Sequence, residues 1–303
     1  MLSVIVPARN NPVLTRGCIS AAVQSLDLLQ LRGQFILIDD ASDPGDGLPA
    51  LFQELRANAP QHEFVVCRTK KNFHYTGVFS VGLHLSRMEK IFFLSNDMLI
   101  TPYFFAAVLE VAALDPRFGV VRGTSNYADS HPEHTVVPPN SALRYEDIAN
   151  FSRQRFETEG IGFAEVELLS GDAVLISRSL VNDIGVLDLR FFGYFGDLDY
   201  GMRAHLAGYK IVCAKGAWLW HEGAGHVKAA ARAANLDLSV MSKRRMQLVQ
   251  AAYAEFRGKW DETLSEKYDG ETLGYFALAE KNAGRVQLKY ELPRAALQDI
   301  EFL

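Results

Sequence analysis

Three apolar runs in this chain stop at groups that can do chemistry. Ile91 to Leu94 ends at Ser95-Asn96-Asp97, one carboxylate flanked by small polar side chains before apolar residues resume. A lone charge at the rim of a buried strand is a place where a ligand can be met. Asp197 and Asp199 follow the aromatic group FFGYFG and precede an amphipathic stretch ending in Gly208. At i and i+2 on a helix start they do not share a face, so they read as having different jobs. Either can satisfy helix N-terminal amides. Asp197, against an aromatic wall, also suits a general base whose pKa is raised by desolvation. The third run, Ala217-Trp218-Leu219-Trp220, turns polar at His221 and enters HEGAGH, a glycine-containing loop able to carry His221 or His226 over a ligand.

The elements that must position these groups are legible from apolar spacing. Leu2 to Val6, Phe35 to Ile38, Phe64 to Cys67 and Ile91 to Leu94 are short apolar runs. Between them, helical stripes run from Leu14 to Leu29, from Leu48 to Leu55, and through Val78, Val81 and Leu85, while Thr101-Pro102 opens a fourth helix. Continuous apolar strands crossed by helices predict a parallel sheet covered on both faces. The strand ends carry Ala8-Arg9-Asn10, Asp39-Asp40, Lys70-Lys71-Asn72 and Ser95-Asn96-Asp97, which together resemble a nucleotide site. Neither GxGxxG nor GxxxxGK[ST] follows the first strand, so the phosphates must be held another way. Residues 123–165, rich in Gly, Pro, Asn, Ser and His, read as a long irregular excursion. Sheet-like order returns at Ala173 to Ser177, and 227–260 reads as helices. The last stretch is mixed and reads as a terminal extension.

Composition narrows the class. The chain has 303 residues, 49% hydrophobic and 22% charged, with a formal net charge of -5. That is an ordinary globular balance and gives no general affinity for nucleic acid. Lys243-Arg244-Arg245 reads as a solvated helix face. Cys18, Cys67 and Cys213 sit in apolar segments without metal-ligand spacing, as expected of reduced core thiols. No run has the ~18 apolar residues of a membrane span. The N-terminus starts a strand directly. The expected place is the cytoplasm, with attachment to the inner face of a membrane through a partner as a variant.

The ordered series SVIVPARN, LIDDAS, KNFHYTGVFSVG, FLSND, LLSGDAVLISRS, FGYFGDLDYGMRAHLAGYKI and WLWHEGAG resembles the family-two inverting glycosyltransferases, closest to the rhamnosyltransferase-like group that builds bacterial surface polysaccharides. The likeness runs over residues 2 to 226, and FRGKWD (Phe256 to Asp261) resembles an aromatic-Lys-Trp segment that often follows in that group. It implies an α/β GT-A fold, a mostly parallel sheet with helices on both faces. A nucleotide-sugar half (1–122) and an acceptor half (123–226) would be followed by a mainly helical extension (227–303). It also implies a UDP-, dTDP- or GDP-linked sugar donor, a glycan, lipid-linked or other hydroxyl acceptor, and Mn²⁺ or Mg²⁺. A homodimer through the extension is a further expectation.

By resemblance, Pro7, Ala8 and Arg9 pack against the donor base and Asp39 reads it, while Asp40 organises the turn. Asn72 and His74 stand on the donor side, and His74 replaces the small Gly of many relatives. Asn96 reaches the ribose, Asp97 ligates the metal, His221 helps hold the metal or the diphosphate, Asp197 is the base, and Gly171, Asp172 and Asp199 line the acceptor. Two departures stand out. The acidic triplet keeps one carboxylate, and the usual Glu-Asp pair is Gly196-Asp197. They leave open an alternative, an inactive glycan- or nucleotide-binding module of the same fold. A nucleotidyltransferase is disfavoured, because PARNNP is not a glycine- and lysine-rich loop.

Overall fold

The structure, a computed structural model, describes residues 1–128, 132–139, 144–167, 169–223, 238–268 and 274–303. Its first half alternates as the apolar spacing predicts: β1 (Leu2–Ala8), α1 (Pro12–Leu28), β2 (Gly33–Asp39), α2 (Leu48–Asn58), β3 (Glu63–Thr69), α3 (His74–Leu85) and β4 (Lys90–Leu94). These strands pair in parallel in the order β3-β2-β1-β4. Every residue of β2 is buried, hence its unbroken apolar run. Val4, Val6, Phe35, Leu37 and Phe92 pack with α1 and α2 on one face. Ile5, Ile36, Ile38 and Phe93 pack with α3 on the other.

The second half comprises β5 (Met98–Leu99), α4 (Pro102–Ala112), β6 (Phe118–Ser125), α5 (Tyr145–Glu159), β7 (Phe163–Glu165), β8 (Ala173–Ser177), α6 (Arg178–Ile184), α7 (Gly196–Leu206) and β9 (Lys210–His221). Here the sheet becomes mixed. β8 lies antiparallel between β4 and β6, β6 runs parallel to β9, and β5 and β7 pair antiparallel with β9. α4 starts where Thr101-Pro102 predicts. Thr101 caps it by accepting the Phe104 amide, and its hydroxyl also meets that of Ser152 at 2.6 Å. Ser152 in turn donates to Trp218 O at 2.8 Å, tying α4, α5 and β9 together.

Three expectations are corrected. Residues 123–165 are not wholly irregular, because β6 extends to Ser125 and α5 fills 145–159. Only Ile148 and Ser152 of α5 are buried, and Arg153–Glu157 and Arg155–Glu159 pairs cover its outer face. Its apolar stripe is too thin to show as periodicity. The run at Ala217 is the end of a 12-residue strand rather than a short one.

The tail is also more than an appendage. After α8 (Leu238–Trp260), α9 (Tyr275–Asn282) and α10 (Arg294–Gln298), β10 (Ile300–Phe302) pairs antiparallel with β3 and closes that edge of the sheet. A third apolar cluster joins Phe191, Phe195 and Met202 to Tyr253, Phe256 and Trp260. His226 and the expected boundary after residue 226 lie outside the described residues.

Candidate functional site

The ends of β1, β2 and β4 form one rim. Ala8 is buried, Pro7 half-buried and Arg9 exposed at the end of β1, whose Ala8 carbonyl accepts the Asp40 amide at 2.9 Å. Asp39 is not at the surface. Its residue is 0% exposed, Oδ1 accepts the Ser42 amide at 2.9 Å, and Oδ2 faces Arg68 Nε at 3.5 Å. The turn after β2 is therefore organised by Asp39 rather than Asp40. Asp40 instead fixes the start of α3, accepting the Phe73 amide at 2.6 Å and the Thr69 hydroxyl at 3.0 Å. Burial pushes its carboxyl up to about 6, against these bonds and the charge of Arg9.

Asn72 spends its side-chain oxygen on the His74 amide at 2.8 Å. His74 is exposed with φ 56, and its pKa is lowered first by burial and then by Arg9, so the two share one rim. Asn96 is half-buried and donates to the Thr15 hydroxyl at 2.8 Å.

Asp97 and His221 meet because β5 pairs with the end of β9, with Met98 opposite His221. Asp97 Oδ2 lies 3.6 Å from His221 Nε2, and both side chains are largely buried. The His221 backbone is clamped by Asn126, which accepts its amide at 2.6 Å and donates to its carbonyl at 2.9 Å. Nδ1 donates to Tyr127 O at 3.0 Å, which turns Nε2 toward Asp97. Burial alone would lower the His221 pKa, but Asp97 and then Asp172 raise it overall.

Among the described residues no three His, Cys, Asp or Glu side chains form a metal cage. The pair nevertheless fits two ligands of a hard cation that keeps water and phosphate oxygens in its shell. Asp172 Oδ2 is 4.0 Å from His221 Nδ1, and its carbonyl accepts the Ser95 amide at 2.8 Å.

Asp197 stands at the first turn of α7. Its Oδ2 accepts the Gly171 amide at 3.3 Å and its Oδ1 the Leu198 amide at 3.0 Å. Burial still pushes this carboxyl up to about 6, with a smaller push from Asp172. The turn Gly171-Asp172 thus touches Asp197 on one side and the Asp97–His221 pair on the other. Gly171 is required there, since a Cβ would fall 1.6 Å from the Tyr75 hydroxyl oxygen. Gly196 faces Thr76, and a Cβ would come within 2.5 Å of its hydroxyl oxygen.

Asp199 is a correction, for it does not reach the acceptor side. It is 0% exposed and bonded to Arg203 Nε at 2.8 Å, Lys259 Nζ at 2.5 Å and Trp260 Nε1 at 3.1 Å. As i+2 from Asp197 on a helix, it faces a different direction, into the cluster with Arg203, Lys259 and Trp260.

Sequence reading missed Asn126 and Tyr127, whose roles depend on contacts across the sheet. It also missed Arg122, a guanidinium 2% exposed that donates to Gly123 O at 3.2 Å and lies 4.0 Å from Asp172. A lone arginine inside the apolar run Gly119 to Ser125 was the available signal.

The family model described as glycosyltransferase like family 2 matches residues 2–247. No curated protein matches the chain by sequence. Among solved structures, the chain resembles mannosyltransferase PcManGT from Pyrobaculum calidifontis in complex with GDP-Man and Mn²⁺. There the TM-score is 0.51 at 14% identity, over 93% of this chain and 79% of that one. S. aureus TarS 1-349 in complex with UDP gives 0.52 at 14% identity, over 85% and 72%. GalNAc-T7 with UDP, GalNAc and Mn²⁺ gives 0.55 at 13% identity, over 73% of this chain but 43% of that one. At these identities the likeness carries the fold alone, and that fold is the GT-A arrangement, with a mixed sheet flanked by helices.

Proposed function

Because the chain belongs to glycosyltransferase-like family 2, we propose that it moves a sugar from a nucleotide-diphosphate donor to a hydroxyl acceptor with inversion at the anomeric carbon. The observation that carries this reading is the Gly171-Asp172 turn, which holds Asp197 through the Gly171 amide and sets Asp172 beside His221 and Asp97. One carboxylate with a raised pKa and one carboxylate–imidazole pair are thereby placed on either side of a single turn.

In this reading Asp197 takes the proton of the acceptor hydroxyl. The acceptor oxygen forms the new bond to the anomeric carbon, and the bond to the diphosphate breaks with its electron pair leaving on phosphate. Asp97 and His221 would hold Mn²⁺ or Mg²⁺, which when bound neutralises charge on the leaving diphosphate. Arg9, Asn72, His74 and Asn96 border the donor side, and Pro7 and Ala8 shape its floor. Asp39 supports that floor from beneath, by fixing the turn after β2. Gly171 and Asp172 border the acceptor side. The donor is UDP-, dTDP- or GDP-linked, with a deoxyhexose such as rhamnose in keeping with the motif resemblance. The acceptor is a glycan or lipid-linked hydroxyl met on the cytoplasmic side. Among the described residues no helix is long and apolar enough to cross a membrane.

The test is a thermal-shift screen of UDP-, dTDP- and GDP-sugars with and without Mn²⁺, followed by transfer assays. Binding to the folded state raises Tm, so the true donor stands out. Asp197→Asn should then lose on the order of 10²–10⁴-fold in turnover while nucleotide binding persists. Retained turnover in that variant removes Asp197 from the base role. Wild-type binding without any transfer or donor hydrolysis supports the inactive binding module instead.

A further inference from the structure

The residues around α7 are held from two directions. On one side Thr76 of α3 donates its hydroxyl to Phe191 O and its amide to Phe192 O at 2.9 Å. On the other side the apolar contacts come from the C-terminal segment. Phe195, one residue before α7, has φ 64, a left-handed conformation rare for a bulky side chain. Such a backbone persists only where its surroundings impose it. Here they are Tyr253, Phe256 and Tyr268, with ring centroids 5.5, 5.3 and 5.1 Å from that of Phe195.

A buried ionic cluster anchors the next turn. Lys259, its side chain 4% exposed, lies 2.5 Å from Asp199 and 3.0 Å from Asp188. Trp260 adds its indole N–H to Asp199. Arg203 bonds the other Asp199 oxygen and donates to the carbonyls of Ile184, Val186 and Leu288. The ammonium of Lys259 also sits 4.5 Å from the Tyr290 ring centroid. Two carboxylates are balanced inside the protein by cations from α7 and α8, an arrangement that tolerates few geometries.

From these contacts we infer that Lys259 and Trp260 are positioning residues for Asp197, fixing the angle of α7 from behind so that the C-terminal segment belongs to the catalytic apparatus. Trp260 acts through Asp199, two positions from the base, and Lys259 acts through Asp199 and Asp188 together. The inference rests on Asp197 being the base.

The protein and its Lys259→Met and Trp260→Phe variants test it by turnover, acceptor KM, nucleotide binding with Mn²⁺, and amide hydrogen exchange. A base displaced by about 1 Å costs on the order of 10²-fold in turnover. Lys259→Met should therefore lose about 10- to 100-fold in kcat at full donor saturation. Its nucleotide affinity and acceptor KM should stay close to wild type, while residues 195–206 exchange faster and β1 to β4 do not. Trp260→Phe, which removes one hydrogen bond and little volume, should move kcat and exchange in the same direction by less. It carries the test alone if Lys259→Met fails to fold. Wild-type kcat and unchanged exchange in the folded variants overturn the inference. So does a loss of nucleotide affinity equal to the loss of kcat. If the wild-type protein transfers no sugar from any donor, the underlying reading fails instead, and exchange at 195–206 still decides whether Lys259 holds α7.

Discussion

Asp197 accepts two amide hydrogens, yet burial outweighs them and its carboxyl sits up to about 6. A base must be ionised, so turnover should fall as pH drops through about 6 and level off above it; a pH–rate profile checks this. Stability has the opposite sign. The folded pKa lies above the ordinary 3.8, so the folded state is penalised as pH rises from about 4 through about 6. Asp197→Asn should accordingly raise Tm relative to wild type at pH 8 and give no such gain at pH 4, read by thermal denaturation. The neighbouring Asp199 shows how far identical chemistry diverges with direction. Two positions along one helix separate a half-buried carboxylate held by backbone amides from a fully buried anchor. Residue type and spacing announced two different roles, and packing against Arg203, Lys259 and Trp260 gave Asp199 its own.

At the scale of elements, the candidate site residues stand at strand ends and, for Asp197, at a helix start, and helix caps decide where helices begin. Thr101 caps α4 and also bonds Ser152, which reaches Trp218 on β9. Thr101→Ala should cost about 1–2 kcal/mol, measured by denaturant unfolding, since an N-cap is lost and a buried partner is left short of a bond. The four strands and three helices of the first half, and α4 after them, were legible because each buries a continuous stripe or run. α5 was not, because two buried residues among fifteen leave no apolar period. Within β9, the polar and small residues Lys215 and Gly216 interrupt the pattern, so only its last apolar stretch looked like a strand. Pairing with β6 resumes beyond that interruption after a register shift, from Arg122 opposite Cys213 to Thr124 opposite Trp218, while β7 pairs only as far as Ala214.

Over the whole molecule, the chain returns at its end to the sheet where it began. β10 covers the edge of β3, with Leu303 donating to Val66 O at 2.9 Å and Lys71 paired to Asp299 at 2.8 Å. Removing residues 299–303 should expose that edge, lowering Tm and promoting concentration-dependent association, as read by scanning calorimetry and light scattering. The sequence by itself determined the strand-helix alternation, the order of its motifs, and which strand ends carry carboxylates and imidazoles. Those features follow from local burial and residue chemistry, which a linear pattern records. Tertiary structure alone decided that Asp39 and Asp199 point inward, that Asn126 and Tyr127 orient His221, and that the tail braces α7. Each of these depends on a partner distant in the chain, and no periodicity encodes the direction in which a side chain meets it.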